Sequence, residues 1–384
     1  AQIAAEELGL GLERVVVAAC DTALSPDEGF TAGSLSVEVS GASVRLAAAQ
    51  ARAALLAAAA ARLGQAAAGL SCRDGAILRD GEPTGLDLWS VAAAVDWAQP
   101  VPAEAQGATA EGRRIVGTSA PRADMAAKLR GGGFIHDIAL PGMRHARVVR
   151  QPFRLARLAA LDEDRLRRRH PGVEVLSQAD FLALVADDEW TVHRAQADAD
   201  AFVTWEEDPG RWRPAATPGP AVVRIGATGA AAPGANGFAA DYARAMIAHA
   251  SIGPSCALAL EEAGSLTVWT HSQGIFALRD QIAACLGRGR SSVRVIHAHG
   301  AGCYGHNGAD DAGLDAAVVA AKLPGRPVRV QWSRSDELSR GPLGAAMSAR
   351  VEASLDGRNR VAAWSMSVRS APHAQRPGAG GHVN

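Results

Sequence analysis

The sequence predicts a multidomain α+β fold, with a β-rich domain set between two segments that mix helices and strands. Three observations carry this. The chain has 384 residues, enough for two or three domains with separate cores. Strand-like runs gather in the middle of the chain, whereas helical and strand periods alternate on either side. A Pro/Gly-rich stretch, Pro209–Pro233, marks a boundary before the last third. The expected segments are 1–70, a connector 71–111, the β-rich domain 112–207, a linker 208–235, and 236–384.

In the first segment Ile3–Leu8 reads as helix and Arg14–Ala19 as a short buried strand ending in Asp21-Thr22. Ser25-Pro-Asp-Glu-Gly29 is a turn by composition. Thr31–Ser36 is small and hydroxyl-rich: it allows close backbone approach, and Ser34 and Ser36 can donate to oxygens. An ordinary turn with capping serines is the competing reading. In the helix Ser43–Leu63 the alanine-rich run Ala47–Leu63 is interrupted by Gln50, Arg52 and Arg62 and reads as amphipathic, and no uninterrupted run approaches the ~18 apolar residues of a membrane span. Residues 71–111 carry Asp74-Gly75, Asp80-Gly81, Pro100 and Pro102 without sustained period, and read as a surface-running connector.

The β-rich domain begins at Arg114–Thr118. Phe134–Ile138 and His145–Val149 read as a strand pair around Leu140-Pro-Gly-Met143, which has the type II turn signature. Gly172–Leu176, Phe181–Val185 and Phe202–Trp205 read as strands and Trp190–Ala199 as a helix, while Arg165–His170 reads as a solvated helix face. His136, His145, His170 and His193 are scattered over different elements, so satisfied or exposed imidazoles are expected rather than a metal site.

Two stretches organise the last segment. Thr270–Arg279 follows the apolar Leu266–Trp269 and opens a helix, Leu278–Leu286. The glycine turn Gly300–Gly308 follows the alternating strand Val293–His297 and opens the helix Leu314–Ala321, with Asp310 and Asp311 placed to cap it. A glycine turn entering a helix presents backbone N–H groups and the positive end of the helix dipole, which suits a phosphate or another anion. Gly300, Gly302 and Gly305 also satisfy G-x-G-x-x-G, and Pro327–Trp332 would complete a βαβ unit. Gln331 and Trp332 stand where a ribose-binding acid belongs, yet a nucleotide-dependent oxidoreductase using the Gly300–Gly305 turn stays open as an alternative, as does a non-catalytic scaffold. His249 is expected to bond backbone in a tight loop, Arg334, Asp336 and Glu337 to form a surface ion-pair cluster, and Ala349–Leu355 and Arg360–Val368 to be strands.

A formal net charge of −1 gives no electrostatic case for nucleic acid or an anionic membrane, so no nucleic-acid partner is expected. The five cysteines, an odd count without C-x-x-C, suit neither a disulfide framework nor an iron–sulfur or zinc site, and buried free thiols are expected, with Cys303 set apart by its place in the turn. The chain starts at Ala1 and stops in a loop-like run at Asn384; truncation at both ends is expected, and localisation stays open between cytoplasm and periplasm.

Ser272–Arg279 followed by Ala301-Gly-Cys-Tyr-Gly305 resembles the paired motifs of the molybdenum hydroxylases, the xanthine dehydrogenase and aldehyde oxidase family, in their molybdopterin-binding large subunit. The resemblance implies that Gln273 is a metal-proximal glutamine, and that Gly274, Phe276, Cys303, Tyr304 and Gly305 contact the cofactor. Ala1–Leu8, Asp21-Thr22 and Thr31–Ser34 resemble the family's pterin-contacting segment, which implies Ala32, Gly33 and Ser34 as further contacts and the closing of both loops on one pyranopterin phosphate. Val116–Arg122, Lys128 and Asp137–Met143 resemble the hammerhead domain, which implies no chemistry of its own. Ala301, Cys303, Tyr304 and His306-Asn307 depart from the usual glycine turn and point to the isoquinoline oxidoreductase and nicotinate dehydrogenase branch. The resemblance further implies a molybdenum–molybdopterin cofactor, either as such or as its cytosine dinucleotide. It implies a separate small iron–sulfur subunit, an aromatic heterocycle or aldehyde as substrate, and an electron acceptor such as a cytochrome. The family's glutamate general base is expected beyond Asn384, and no residue is assigned to it.

Overall fold

The computed structural model describes residues 1–102, 107, 112–152, 156–207 and 237–370; the stretch Pro209–Pro233 therefore lies outside the described residues. The chain divides into two compact units, residues 1–19 with 28–126, and residues 20–27 with 127–384.

In the first unit, α1 (Gln2–Leu8) is closed by Gly9 in the left-handed conformation. Residues 15–19, expected as a buried strand, are irregular, and Val16 is 89% exposed. Backbone pairing starts only at Cys20, so the apolar run has no sheet to enter. A π-helical turn, Val37–Gly41, leads into α2 (Ala42–Leu63), which Gly64 ends. Counted together, Val37–Leu63 is by length and composition alone long and apolar enough to cross a membrane, because its many alanines and leucines outweigh the scattered polar residues. Leu55, Ala59 and Ala60 of this helix face a core completed by Leu70, Ile77, Leu88 and Val91.

That core corrects the connector reading. Residues 70–87 form an antiparallel meander of β1 (Leu70–Arg73), β2 (Ala76–Arg79) and β3 (Glu82–Asp87), followed by α3 (Leu88–Val91). Asp74-Gly75 and Asp80-Gly81 are the two-residue turns between the strands, with positive φ at both positions of each, which is the geometry that matches strand twist. Arg114–Val116, expected to open the β-rich domain, also folds with the first unit. The buried carboxylate of Glu6 accepts the N–H groups of Arg114 (2.9 Å), Ile115 (2.6 Å) and Val116 (2.9 Å). Burial pushes the Glu6 pKa up, but these bonds more than reverse it and leave it lowered. A Glu6→Gln chain should lose about 1.5–3 kcal/mol of stability in this unit, because one amide oxygen replaces a charged acceptor pair. Urea titration read by Trp89 and Trp97 fluorescence would measure it. A depressed carboxylate stabilises above its unfolded pKa and stops doing so as pH falls through its folded one, so the difference between the two chains should vanish in acid.

The helix α4 (Met125–Leu129) runs across the boundary in sequence. The second unit is built on a mixed seven-stranded sheet. Its strands are β4 (Arg144–Val148), β6 (Glu174–Gln178), β7 (Phe181–Ala186), β11 (Cys256–Glu262), β12 (Ser265–Thr270), β13 (Val293–His297) and β14 (Val328–Gln331), in the order β13-β12-β11-β14-β4-β7-β6. The parallel pairing of β14 with β4 merges the expected β-rich domain with the last segment. Phe134–Ile138 is not a strand partner of β4: Ile135–Asp137 is a 3₁₀ turn, although Leu140–Met143 is a tight turn with Gly142 at φ 68°. Alternation along β7 sends Ala183 and Val185 to one core and Leu182, Leu184 and Ala186 to another.

The second of these cores is closed by α5 (Glu163–Arg169) and α6 (Glu189–Ala197), through Leu166, Val192 and Ala195. The first is closed by α7 (Ile275–Cys285) and α8 (Ala309–Lys322), whose Leu278, Ile282, Ala316 and Val319 lie on Val268, Val295, Val328 and Val330. β5 (Ala156–Leu161) pairs with β8 (Val203–Glu207), and β10 (Ile247–Ala248) with β15 (Leu343–Gly344). β9 (Gly237–Arg244), β16 (Met347–Leu355) and β17 (Val361–Ser370) form a separate sheet. The outer edge of β13 is covered by residues 20–22: Thr22 N–H bonds Val295 O, His297 N–H bonds Cys20 O, and Arg294 binds the buried Asp21 carboxylate, whose pKa it lowers.

Candidate active site

Because β12 and β13 are parallel neighbours, with Thr270 opposite His297, both chains leave the sheet at the same end. The loop 271–274 before α7 and the loop 298–308 before α8 are thereby set side by side, at the carboxyl ends of strands, where α/β sheets place ligands. The structure brings together the two motifs that the sequence singles out.

A buried polar network ties the loops. Thr270, His271, Ser272, Asn307 and Asp310 are all buried. Ser272 Oγ donates to the Asp310 carboxylate and accepts from Gly274 N–H at 3.0 Å, while His306 Nε2 lies 3.1 Å from the other Asp310 oxygen. Thr270 Oγ1 donates to Ala309 O at 3.1 Å, and Asn307 Oδ1 accepts from Ala309 N–H at 3.2 Å. The Asn307 amide nitrogen lies 3.2 Å from both Ser251 Oγ and His271 Nδ1. Cys256 N–H donates to His271 Nε2, so that nitrogen carries no proton; burial, with nearby His136 and His297, pulls the His271 pKa down to about 4. Sequence reasoning missed this network. Its one local signal is the i, i+4 spacing of His306 and Asp310, which puts imidazole and carboxylate on one side of a nascent helix.

The glycines of the turn have physical work. At Gly305, φ is 138°, and a Cβ would lie 2.3 Å from the His249 ring, which Pro342 O holds at 3.0 Å from Nδ1. The backbone bond expected of His249 is therefore present. A Cβ at Gly300 would meet His271 Nδ1 at 2.5 Å, and one at Gly308 would meet Trp332 at 2.4 Å. Tyr304 adopts a positive φ of 50° and is 59% exposed.

The start of α8 is not the open anion site expected of it. Asp310 and Asp311 stand inside its first turn rather than capping it, and Gly308 is the N-cap. The dipole's positive end is met by the chain's own carboxylates, and one N–H by Asn307, so a phosphate would face two negative charges there. The helix also starts four residues beyond Gly305, and β14 lies beyond β12 and β11 from β13, unlike the adjacent βαβ unit of a dinucleotide site.

Gln273 is half-buried at the β12–α7 junction, Gly274 is the buried N-cap of α7, and Phe276 packs on the core with Arg279 5.3 Å over its ring. Cys303 is half-buried, and of the thiols expected to be buried only Cys256 is; burial pushes it up to about 12, while Cys20 and Cys285 are exposed. Arg334, Asp336 and Glu337 are no surface cluster. They belong to α9 (Arg334–Arg340): Asp336 completes a capping box with Ser333, and the buried Glu337 accepts Ser255 N–H at 2.7 Å. Ala32, Gly33 and Ser34 are exposed in the first unit, with positive φ at Gly33 and Ser34.

Comparison with known proteins accords with this geometry. A family described as a molybdopterin cofactor-binding domain matches residues 1–126, and a second family of the same description matches residues 219–372. The chain belongs to the molybdopterin-binding large-subunit family of the molybdenum hydroxylases. Among individual proteins, it is 33% identical over 384 residues to a nicotinate dehydrogenase subunit of Pseudomonas putida, a match that covers 95% of this chain. The chain spans 32% of the length of that curated relative. Its fold is similar to quinoline 2-oxidoreductase from Pseudomonas putida 86 (TM-score 0.52, 20% identity, 67% of this chain and 41% of that one). It is also similar to the aldehyde oxidoreductase of Desulfovibrio gigas (TM-score 0.51, 16% identity, 68% and 35%).

Proposed function

We propose that this chain is the cofactor-holding portion of a hydroxylase that oxidises an N-heteroaromatic compound or an aldehyde, with water as the oxygen source. The observation that carries it is the joining of the two motif loops at one sheet end by the Ser272–Asp310 and Thr270–Ala309 contacts. The loops fit a flat pterin in that Gly302, Tyr304 and Gly305 are exposed at the sheet end, while the Cβ side of Gly302 is taken by Tyr304 and that of Gly305 by His249. When bound, the molybdenum–pterin group supplies oxygen transfer and accepts two electrons.

The residues of the chain have the supporting tasks. Gln273 offers an amide that can donate to or accept from the metal's ligand oxygens. Gly274, Phe276 and Cys303 wall the pterin, and Tyr304 presents a phenol to the substrate side. Ala32, Gly33 and Ser34 are proposed as cofactor contacts within their own unit. The cytosine dinucleotide form, the isoquinoline and nicotinate branch, a small iron–sulfur subunit and a cytochrome acceptor belong to the same proposal.

The test is metal analysis with pterin fluorescence on the chain purified from cells that make the cofactor. About one molybdenum and one pterin per chain are expected, with both lost in a Ser272→Ala/Asp310→Ala chain that still folds. A folded wild-type chain with neither would support the scaffold reading, and one with bound nucleotide instead would restore the nucleotide reading.

A further inference from the structure

The second unit holds a cavity of about 310 Å³ that the proposed function does not use. It lies one side chain away from the glycine turn: Trp332 lines it and also packs on Gly308, and Pro342 lines it while its carbonyl bonds His249. Met246, Trp332, Pro342 and Leu343 give it apolar walls, and a volume of this order suits a small organic ligand.

The charges on the lining are unevenly committed. Arg150 forms an ion pair with the buried Asp315 and stacks 5.0 Å over the Trp332 ring. Asp311 has a partner of its own. Arg340, half-buried at the last position of α9, enters no ion pair among the described residues, and Ser339 lies beside it on the same lining. The Ser339 hydroxyl donates to Ser335 O at 2.6 Å, so the one uncommitted donor is the Arg340 guanidinium, which matches a single negative charge and offers the planar fork that a carboxylate takes. A dianion would be poorly matched, because Asp311 and the carbonyl end of α9 bring negative charge to the same space.

We propose that this cavity binds a small monocarboxylate with a flat apolar body, its carboxylate on Arg340 and its body on the apolar walls. Calorimetric titration of the full chain with benzoate, its neutral isostere benzamide, and inorganic phosphate tests this. Benzoate should bind saturably and roughly tenfold or more tighter than benzamide, as expected for a charge-assisted bond. Arg340→Gln should erase that difference, and Arg340→Lys should keep part of it. Equal affinity for benzoate and benzamide, or phosphate binding tighter than benzoate, would overturn the proposal. So would unchanged benzoate binding by a folded Arg340→Gln chain, and if that variant fails to fold, the benzoate–benzamide comparison on the unaltered chain decides. The titration needs no cofactor, so its failure leaves the cofactor reading standing.

Discussion

A Gly305→Ala chain is expected to lose about 2–6 kcal/mol of stability and, with it, any bound pterin. Two costs add. An alanine held at a φ of 138° has its Cβ against its own backbone, which costs about 1–3 kcal/mol. The new methyl would also stand 2.3 Å from the His249 ring, and that ring is not free to swing, because Nδ1 lies 3.0 Å from Pro342 O. Overpacking of this kind costs about 1–3 kcal/mol more. The two costs can be separated. His249→Ala alone should lose one hydrogen bond, whereas His249→Ala with Gly305→Ala should recover the overpacking part and keep the backbone part. The coupling energy of this double-mutant cycle, read from urea midpoints, measures the contact itself. Gly357→Ala is the control, since nothing lies within 4 Å of a Cβ there, and it should change stability by less than about 0.5 kcal/mol. Wild-type stability in Gly305→Ala would mean that the turn does not close on His249.

Much of the second unit is legible in the sequence because its signals are local. The alternation of Val293–His297 and the run Leu266–Trp269 mark strands with one face on the core, and the two strands stand as parallel neighbours. The glycines of the turn are legible as glycines, but not what each avoids. Gly305 meets His249, fifty-six positions earlier, and Gly300 meets His271, contacts that no window of sequence contains. Asp310 and Asp311 mislead for a related reason. Acids near a helix start usually cap it, whereas tertiary packing buries Asp310 beneath Ser272 and moves the helix start to Ala309. The meander at residues 70–87 is a different case. Asp74-Gly75 and Asp80-Gly81, flanked by Ile77 and Leu78, are hairpin turns by composition, but strands of only four residues are too short for a period to show. Val15–Ala19 fails in the opposite direction: its β-branched run has strand propensity, but propensity without a partner strand leaves it exposed.

The second large effect is on acid stability, through His271. Its ring is buried, neutral and accepting Cys256 N–H, and burial pulls its pKa from about 6.5 in the unfolded chain to about 4. The folded state therefore binds fewer protons than the unfolded state between those values. Stability is complete above the unfolded pKa, falls as pH drops through the interval, and reaches a loss of roughly 3 kcal/mol near pH 4 with no further change below it. Other groups titrate in acid as well, so the informative quantity is the difference between the wild-type chain and His271→Gln, whose amide can still accept from Cys256. Asp310, His136 and His297, the charges that act on His271, are present in both chains and largely cancel. The difference curve should be flat above about pH 7 and shift by roughly 3 kcal/mol toward the variant across the interval; a flat curve throughout would mean that His271 is solvated or already paired as a cation. Because His271 touches Gly300 and Asn307, bound molybdenum should be lost over the same interval in the wild type and retained to lower pH in the variant. Retention in both chains down to pH 4, with the second unit unfolding on schedule, would place the cofactor away from this loop.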